Sequence, residues 1–116
     1  MKYNTTVKEN IFFIHLEGDL LGEDNGLEII DLVNDKINES LLLCAVDLSQ
    51  VRYMNSSGIG VLITILTKFR NKGGEVVLVK PSEQIKKLLI ITKLNAIFSI
   101  IESEGDAIQQ LKNNHK

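Results

Sequence analysis

The chain has 116 residues, a net charge of −2, and 44% hydrophobic against 24% charged residues. These proportions exclude a disordered chain, and the length fits one domain whose core needs neither disulfide nor metal. The weak negative charge provides no basic stripe for nucleic acid, and no apolar run reaches the roughly 18 residues of a membrane span.

Residues 3–8 and 11–17 read as strands joined by a tight turn at Glu9 and Asn10. The second is apolar on both faces except at His15, as befits a central strand. Residues 18–22 read as a loop. The adjacent acids Glu23 and Asp24 match a helix dipole better than a metal site. A helix starts at Asp24, Asn25 and Gly26, with Leu27, Ile30, Leu32 or Val33, and Ile37 recurring at helical spacing. Residues 41–48 form a nearly continuous apolar run, predicting a strand buried on both faces, with Cys44 a small buried hydrophobe.

Residues 51–54 read as a short connection. Residues 57–71 make the clearest helix, closed by Lys72, Gly73 and Gly74, with Gly73 suited to the left-handed stop. A strand follows over 75–80. Ser82 is a predicted N-cap with Glu83 in the first turn, and Ile85, Leu88, Leu89 and Thr92 line the inner face of that helix. Asn95 is its predicted end. Residues 98–101 form a last strand and 105–111 a last helix. The predicted domain covers residues 1–112, with 113–116 as a frayed tail. The order β-β-α-β-α-β-α-β-α predicts the α/β class: a mixed, mostly parallel sheet of four to five strands covered by about four helices.

Enzyme signatures are missing from the pattern. Gly58, Ile59 and Gly60 lack the third glycine of a dinucleotide fingerprint, since that place falls on Ile63. There is no P-loop and no G-x-S-x-G elbow. The histidines are His15, in a strand, and His115, in the tail. No catalytic residue, cofactor or metal is therefore expected. Met1, Lys2, Tyr3 and Asn4 open no apolar signal core, so the expected location is cytoplasmic without membrane insertion.

The informative segment runs from Asn55 onward. Asn55, Ser56 and Ser57 are all residue types that cap a helix. In the helix that follows, Ile59, Leu62, Ile65, Leu66 and Phe69 form the core stripe, with Val61 and Ile63 at its two edges. Gly60, Thr64 and Thr67 leave the outward face small. Apolar shoulders beside a sparse face suit the docking of another protein; the alternative is that neighbouring helices cover them.

Val46, Asp47 and Leu48, followed by Tyr53, Met54, Asn55, Ser56, Ser57, Gly58, Ile59, Gly60, Val61 and Leu62, resemble the signature of the STAS domain of anti-sigma-factor antagonists. Gly18, Asp19 and Leu20 resemble that family's loop after the second strand. Lys72, Gly73, Gly74 and Glu75 resemble its glycine turn. Leu88 and Leu89, with Leu94, Asn95, Ala96, Ile97 and Phe98, resemble its third helix and exit. The resemblance implies partner switching: an anti-sigma-factor serine kinase binds the unphosphorylated form, phosphorylates it, and a serine phosphatase resets it. The implied phosphoacceptor is Ser56, and Asn55, Ser57, Gly58 and Gly60 shape its turn. The implied docking residues are Asp19, Leu21, Ile59, Val61, Ile63 and Thr64. Two positions depart from the family: Asn55 stands where Asp is usual, and Leu21 where an acid is usual. Those departures point also to an alternative, a non-phosphorylated STAS binding subunit of a transport or signalling complex.

Overall fold

The structure, a computed structural model, describes residues 2–21 and 25–114. It begins with β1 (Lys2–Lys8) and β2 (Ile11–Leu20), an antiparallel pair closing at Lys8 and Ile11. Glu9 and Asn10 both take positive φ, 54° and 65°, as the twist-matched two-residue hairpin turn requires. Then follow α1 (Asn25–Asn38), β3 (Leu43–Met54), α2 (Ser56–Asn71), β4 (Glu75–Val79), α3 (Glu83–Ile91), a 3₁₀ turn (Leu94–Ala96), β5 (Ser99–Ile101) and α4 (Glu104–Asn114). The strands lie side by side in chain order, and every pairing after the first is parallel. Among the described residues this is the predicted class, with five strands and four helices.

Alternation along the strands sorts the core into two layers. Phe12, Ile14 and Leu16 of β2, Cys44, Val46 and Leu48 of β3, and Val76 and Leu78 of β4 face one way. Ile29 and Val33 of α1, Leu62, Ile65, Leu66 and Phe69 of α2, and Ile85 and Leu89 of α3 pack on them. Ile11, Phe13, Leu43, Ala45, Val77 and Val79 face the other way, where Ala107 and Leu111 of α4 cover them. Burial on both faces explains the continuous apolar runs in β3 and β4. Cys44 is fully buried, and burial pushes its thiol well above the ordinary range, so it is an inert core residue.

Several expected boundaries are corrected. Residues 18–20 and 51–54, read as a loop and a connection, are paired strand: Asp19 faces Tyr53 and Leu20 faces Met54. The register shifts between His15 and Glu17 and again between Gly18 and Asp19. Such bulges break strict alternation, so this stretch loses the sequence rhythm of a strand while keeping its ladder. Leu27 is 80% exposed and lies off the inner stripe of α1, which is set by Gly26, Ile29 and Val33. Thr92 is exposed as the residue that caps α3, its hydroxyl donating back to the Leu88 carbonyl. Lys93, not Asn95, takes the left-handed conformation that ends α3 (φ 63°), and Asn95 sits in the 3₁₀ turn. The helix α4 continues to Asn114, through the start of the expected tail. Glu23, Asp24 and His115 lie outside the described residues.

Ser82 accepts from the Ile85 amide at 3.3 Å, as its predicted capping role requires. Gly73 (φ +81°) stops α2, its amide donating to the Arg70 carbonyl. Lys93 holds a comparable φ against the Cβ penalty. Replacing it by Asn, which tolerates that conformation, should raise stability by about 0.5 kcal/mol. Urea denaturation checks this, and an unchanged or lower midpoint would contradict it.

Candidate functional site

The end of β3 and the start of α2 meet at Asn55. Its backbone is extended (φ −99°, ψ −177°), its carbonyl accepts from the Ile59 amide at 2.9 Å, and its side-chain Oδ1 accepts from the Gly58 amide at 2.8 Å. Asn55 is thus the N-cap, and Ser56 and Ser57 are the first residues of the helix, both exposed. Neither hydroxyl is needed for the cap, because the amide side chain before them performs it.

The turn is seated on the tip of β2. The Asn55 amide donates to the Leu20 carbonyl at 3.3 Å. A Cβ on Gly58 would lie 1.9 Å from that same carbonyl oxygen, so only glycine permits the approach. Gly60, by contrast, has open space where a Cβ would go. Its carbonyl accepts from the Thr64 hydroxyl at 2.8 Å, so Thr64 folds back on its own helix.

The expected docking residues do not all share one environment. Ile63 is 38% exposed on α2, and Ile59 is half-buried against the main core. Val61 is buried: its Cγ2 is close enough to Gly26 that an added Cβ there would sit 3.3 Å away, so α1 covers this shoulder. Leu21 is exposed just beyond β2. Asp19 is held by Arg52 in a two-pronged bridge of 3.0 Å and 2.9 Å. That guanidinium holds the Asp19 carboxyl below the usual carboxylate range. Sequence reasoning missed several exposed apolar side chains, among them Leu27, Tyr53, Ile90 and Ile91. Tyr53 and Ile91 line a shallow groove of about 190 Å³ with Ile85 and Leu88, between β3 and α3. Only the position of Tyr53 within the motif could have marked it.

His15 is on the opposite face of the sheet from α2, stacked at 6.2 Å on Phe13. No Ser56–His15 pair forms, so His15 does not serve Ser56 as a general base.

The STAS domain family model matches residues 2–107. The chain belongs to the STAS domain family. A Thermotoga neapolitana homologue of the protein TM1081 is 30% identical over 82 residues, covering 71% of this chain and 69% of the relative. The anti-sigma-B factor antagonist of Listeria monocytogenes is 34% identical over 71 residues, 61% of each chain. Among solved structures, the crystal structure of TM1081 from Thermotoga maritima superposes with a TM-score of 0.85 at 22% identity, covering 95% of this chain and 94% of that one. The phosphorylated form of the Bacillus cell fate determinant SpoIIAA gives 0.74 at 19% identity, over 94% of this chain and 98% of that one. At such identities these superpositions speak for the fold: the STAS scaffold is present from β1 to α4.

Two outcomes test the geometry of the STAS turn. Gly58→Ala must push α2 off the tip of β2, at a cost of about 3 kcal/mol; a urea midpoint within error of the parent would remove the close approach. For the ion pair, the carboxylate is favoured in the folded state, so its stabilisation is present above the ordinary Asp range and fades as pH falls through the lowered value. NMR titration should therefore find Asp19 below the ordinary range and return it there in Arg52→Gln. Identical titration curves in both proteins would contradict the bridge.

Proposed function

We propose that this STAS protein is an anti-sigma-factor antagonist, a cytoplasmic protein-interaction switch rather than an enzyme. Unphosphorylated, it docks an anti-sigma-factor serine kinase through the Ser56 turn and the adjoining faces of α2 and β2, where Leu21, Ile59, Ile63 and Thr64 lie. Phosphate on Ser56 releases it, and a serine phosphatase restores it. The names of the Thermotoga and Listeria relatives support the antagonist role, and SpoIIAA, a neighbour of the same fold, has been solved in a phosphorylated form.

The observation that carries this reading is the placement of Ser56: exposed, first in the helix, and free of the capping role that Asn55 performs. A phosphate there would face the unpaired amides of the first helical turn and the positive end of the dipole, so the fold would tolerate it. The same phosphate would add about −1.5 to −2 charges in the middle of a docking surface. Burying it against a partner without matching cations costs several kcal/mol, enough to end binding.

The first turn of α2 contains no acidic residue, whereas α1 has Glu28, α3 has Glu83 and α4 has Glu104 and Asp106. Its positive end is therefore still unmatched, which favours a phosphate at Ser56 over one at the start of the other helices.

Incubation with the cognate kinase and ATP, followed by peptide mapping, should place phosphate on Ser56. Ser56→Asp should weaken kinase binding roughly 100-fold or more, about 3 kcal/mol, and leave the unfolding midpoint near that of the parent, while Ser56→Ala keeps binding. Neutral Asn55 and Leu21, where acids are usual, favour a second reading: a STAS subunit that binds a transport or signalling complex without modification. In that case Ser56→Asp and the parent would bind the partner equally.

A further inference from the structure

A second cluster of chemically capable side chains stands on the face of the sheet away from Ser56, midway along β2 and β3. His15 of β2 and Asp47 of β3 are register partners. Glu104, the first residue of α4, reaches the same point from above. His15 Nδ1 is 3.0 Å from Asp47 Oδ2, and His15 Nε2 is 3.8 Å from Glu104 Oε1. One ligating atom from each of the three lies within 4.8 Å of the others.

We propose that His15, Asp47 and Glu104 bind a divalent transition-metal ion such as Zn²⁺. The donor set, one imidazole and two carboxylates, suits a borderline cation and is a poor match to Mg²⁺ or Ca²⁺, which take oxygen alone. Bonds of about 2.0–2.2 Å to zinc place neighbouring ligand atoms roughly 3 Å apart, the spacing His15 and Asp47 already have. The 3.8 Å approach of Glu104 is to Nε2, the ring nitrogen away from Asp47. Its side chain, about one-third exposed, must therefore rotate to bring an oxygen round to the Nδ1 side, within the 4.8 Å that the three ligating atoms span.

The surroundings hold two of the ligands in place. The Ser49 amide donates to Asp47 Oδ1 at 2.8 Å, which leaves Oδ2 to face the imidazole. Phe13 stacks on the His15 ring with an interplanar angle of 12°, fixing its plane. Such outer contacts orient ligands in metal sites. Side-chain exposures of 29% for His15, 13% for Asp47 and 32% for Glu104 leave the cluster reachable from solvent. A cavity of about 470 Å³, lined by Tyr3, His15, Asp47, Ser49 and Gln50, opens beside it and provides both an entry path and room for water as the remaining ligands. Lys8, whose Nζ is 3.9 Å from Glu104, is half-exposed and free to turn away as the ion enters. On coordination a protonated His15 gives its proton to solvent and binds through a ring nitrogen lone pair.

This site does not depend on the switch reading, and the test is independent of it. The full chain carrying His115→Ala, which removes the other histidine, is titrated with Zn²⁺ by calorimetry and with Co²⁺ by visible absorption. The expected result is one saturable ion per chain and a Co²⁺ ligand-field band. His15→Gln and Glu104→Gln should each weaken binding roughly tenfold or more, with far-ultraviolet circular dichroism unchanged. Should His15→Gln fail to fold, Glu104→Gln decides, since its side chain is at the surface. Absence of saturable binding up to about 1 mM, or full retention of binding in Glu104→Gln, overturns the site and leaves the three groups as an ion-paired cluster.

Discussion

The structure turns on a single close approach. The chain leaves β3 at Met54 and enters α2 at Ser56 with only Asn55 between them, and it does so against the Leu20 carbonyl. That carbonyl accepts the Asn55 amide, and it occupies the space a Cβ on Gly58 would fill. The absence of one carbon thus lets a helix begin directly on the tip of a neighbouring strand. From there α2 runs back over the sheet with Leu62, Ile65, Leu66 and Phe69 on the core, and the β2 and β3 extensions hold their register. The exposed serines are exposed because of this geometry: the residues before and after them are both tied to β2.

That arrangement separates two tasks that are usually in competition. A capping serine spends its hydroxyl on the first-turn amides. Here Asn55 does that work, at 2.8 Å from the Gly58 amide, without a formal charge. An aspartate at the same place would cap equally well and add a negative charge beside the serine. The difference between Asn and Asp is therefore electrostatic and not structural, which is why the departure from the family pattern leaves the fold intact and changes only the field around Ser56.

Much of the fold could be read from local rules. Periodicity placed each helix, and the doubly buried strands declared themselves by unbroken apolar runs, as in Cys44, Ala45 and Val46. What escaped was whatever depends on pairing across the chain. The extension of β3 through Arg52 and Tyr53 is invisible locally, because two register shifts put polar and aromatic side chains where alternation would ask for others. Lys93 ends α3 in a conformation that costs a lysine free energy, against the residue preference that pointed to Asn95; the packing of Leu94 and Phe98 into the core sets that turn. Val61 looked like a docking shoulder because helical projection cannot say that Gly26 of α1 lies against it. The pairing of His15 with Asp47 is equally non-local: 32 residues separate them in sequence, and only the parallel register brings them together.

The cost of a regulatory charge to the domain depends on where along a helix it sits. Negative charge at the start of α2 is favourable to the helix, by about 0.3–1 kcal/mol for an exposed site. No side chain in that first turn supplies it. A phosphate on Ser56 would therefore be attractive to its own protein and repulsive only to a partner that must bury it. The domain itself would gain slightly from the modification, so the whole of the switching energy has to be read out in the complex. A serine in the middle or at the end of the helix could not work this way. Phosphate there would meet carbonyls instead of amides and destabilise the domain along with the interface. The first turn of α2 is a position where a modification would separate binding from folding, and Gly58 is what seats that turn on the tip of β2.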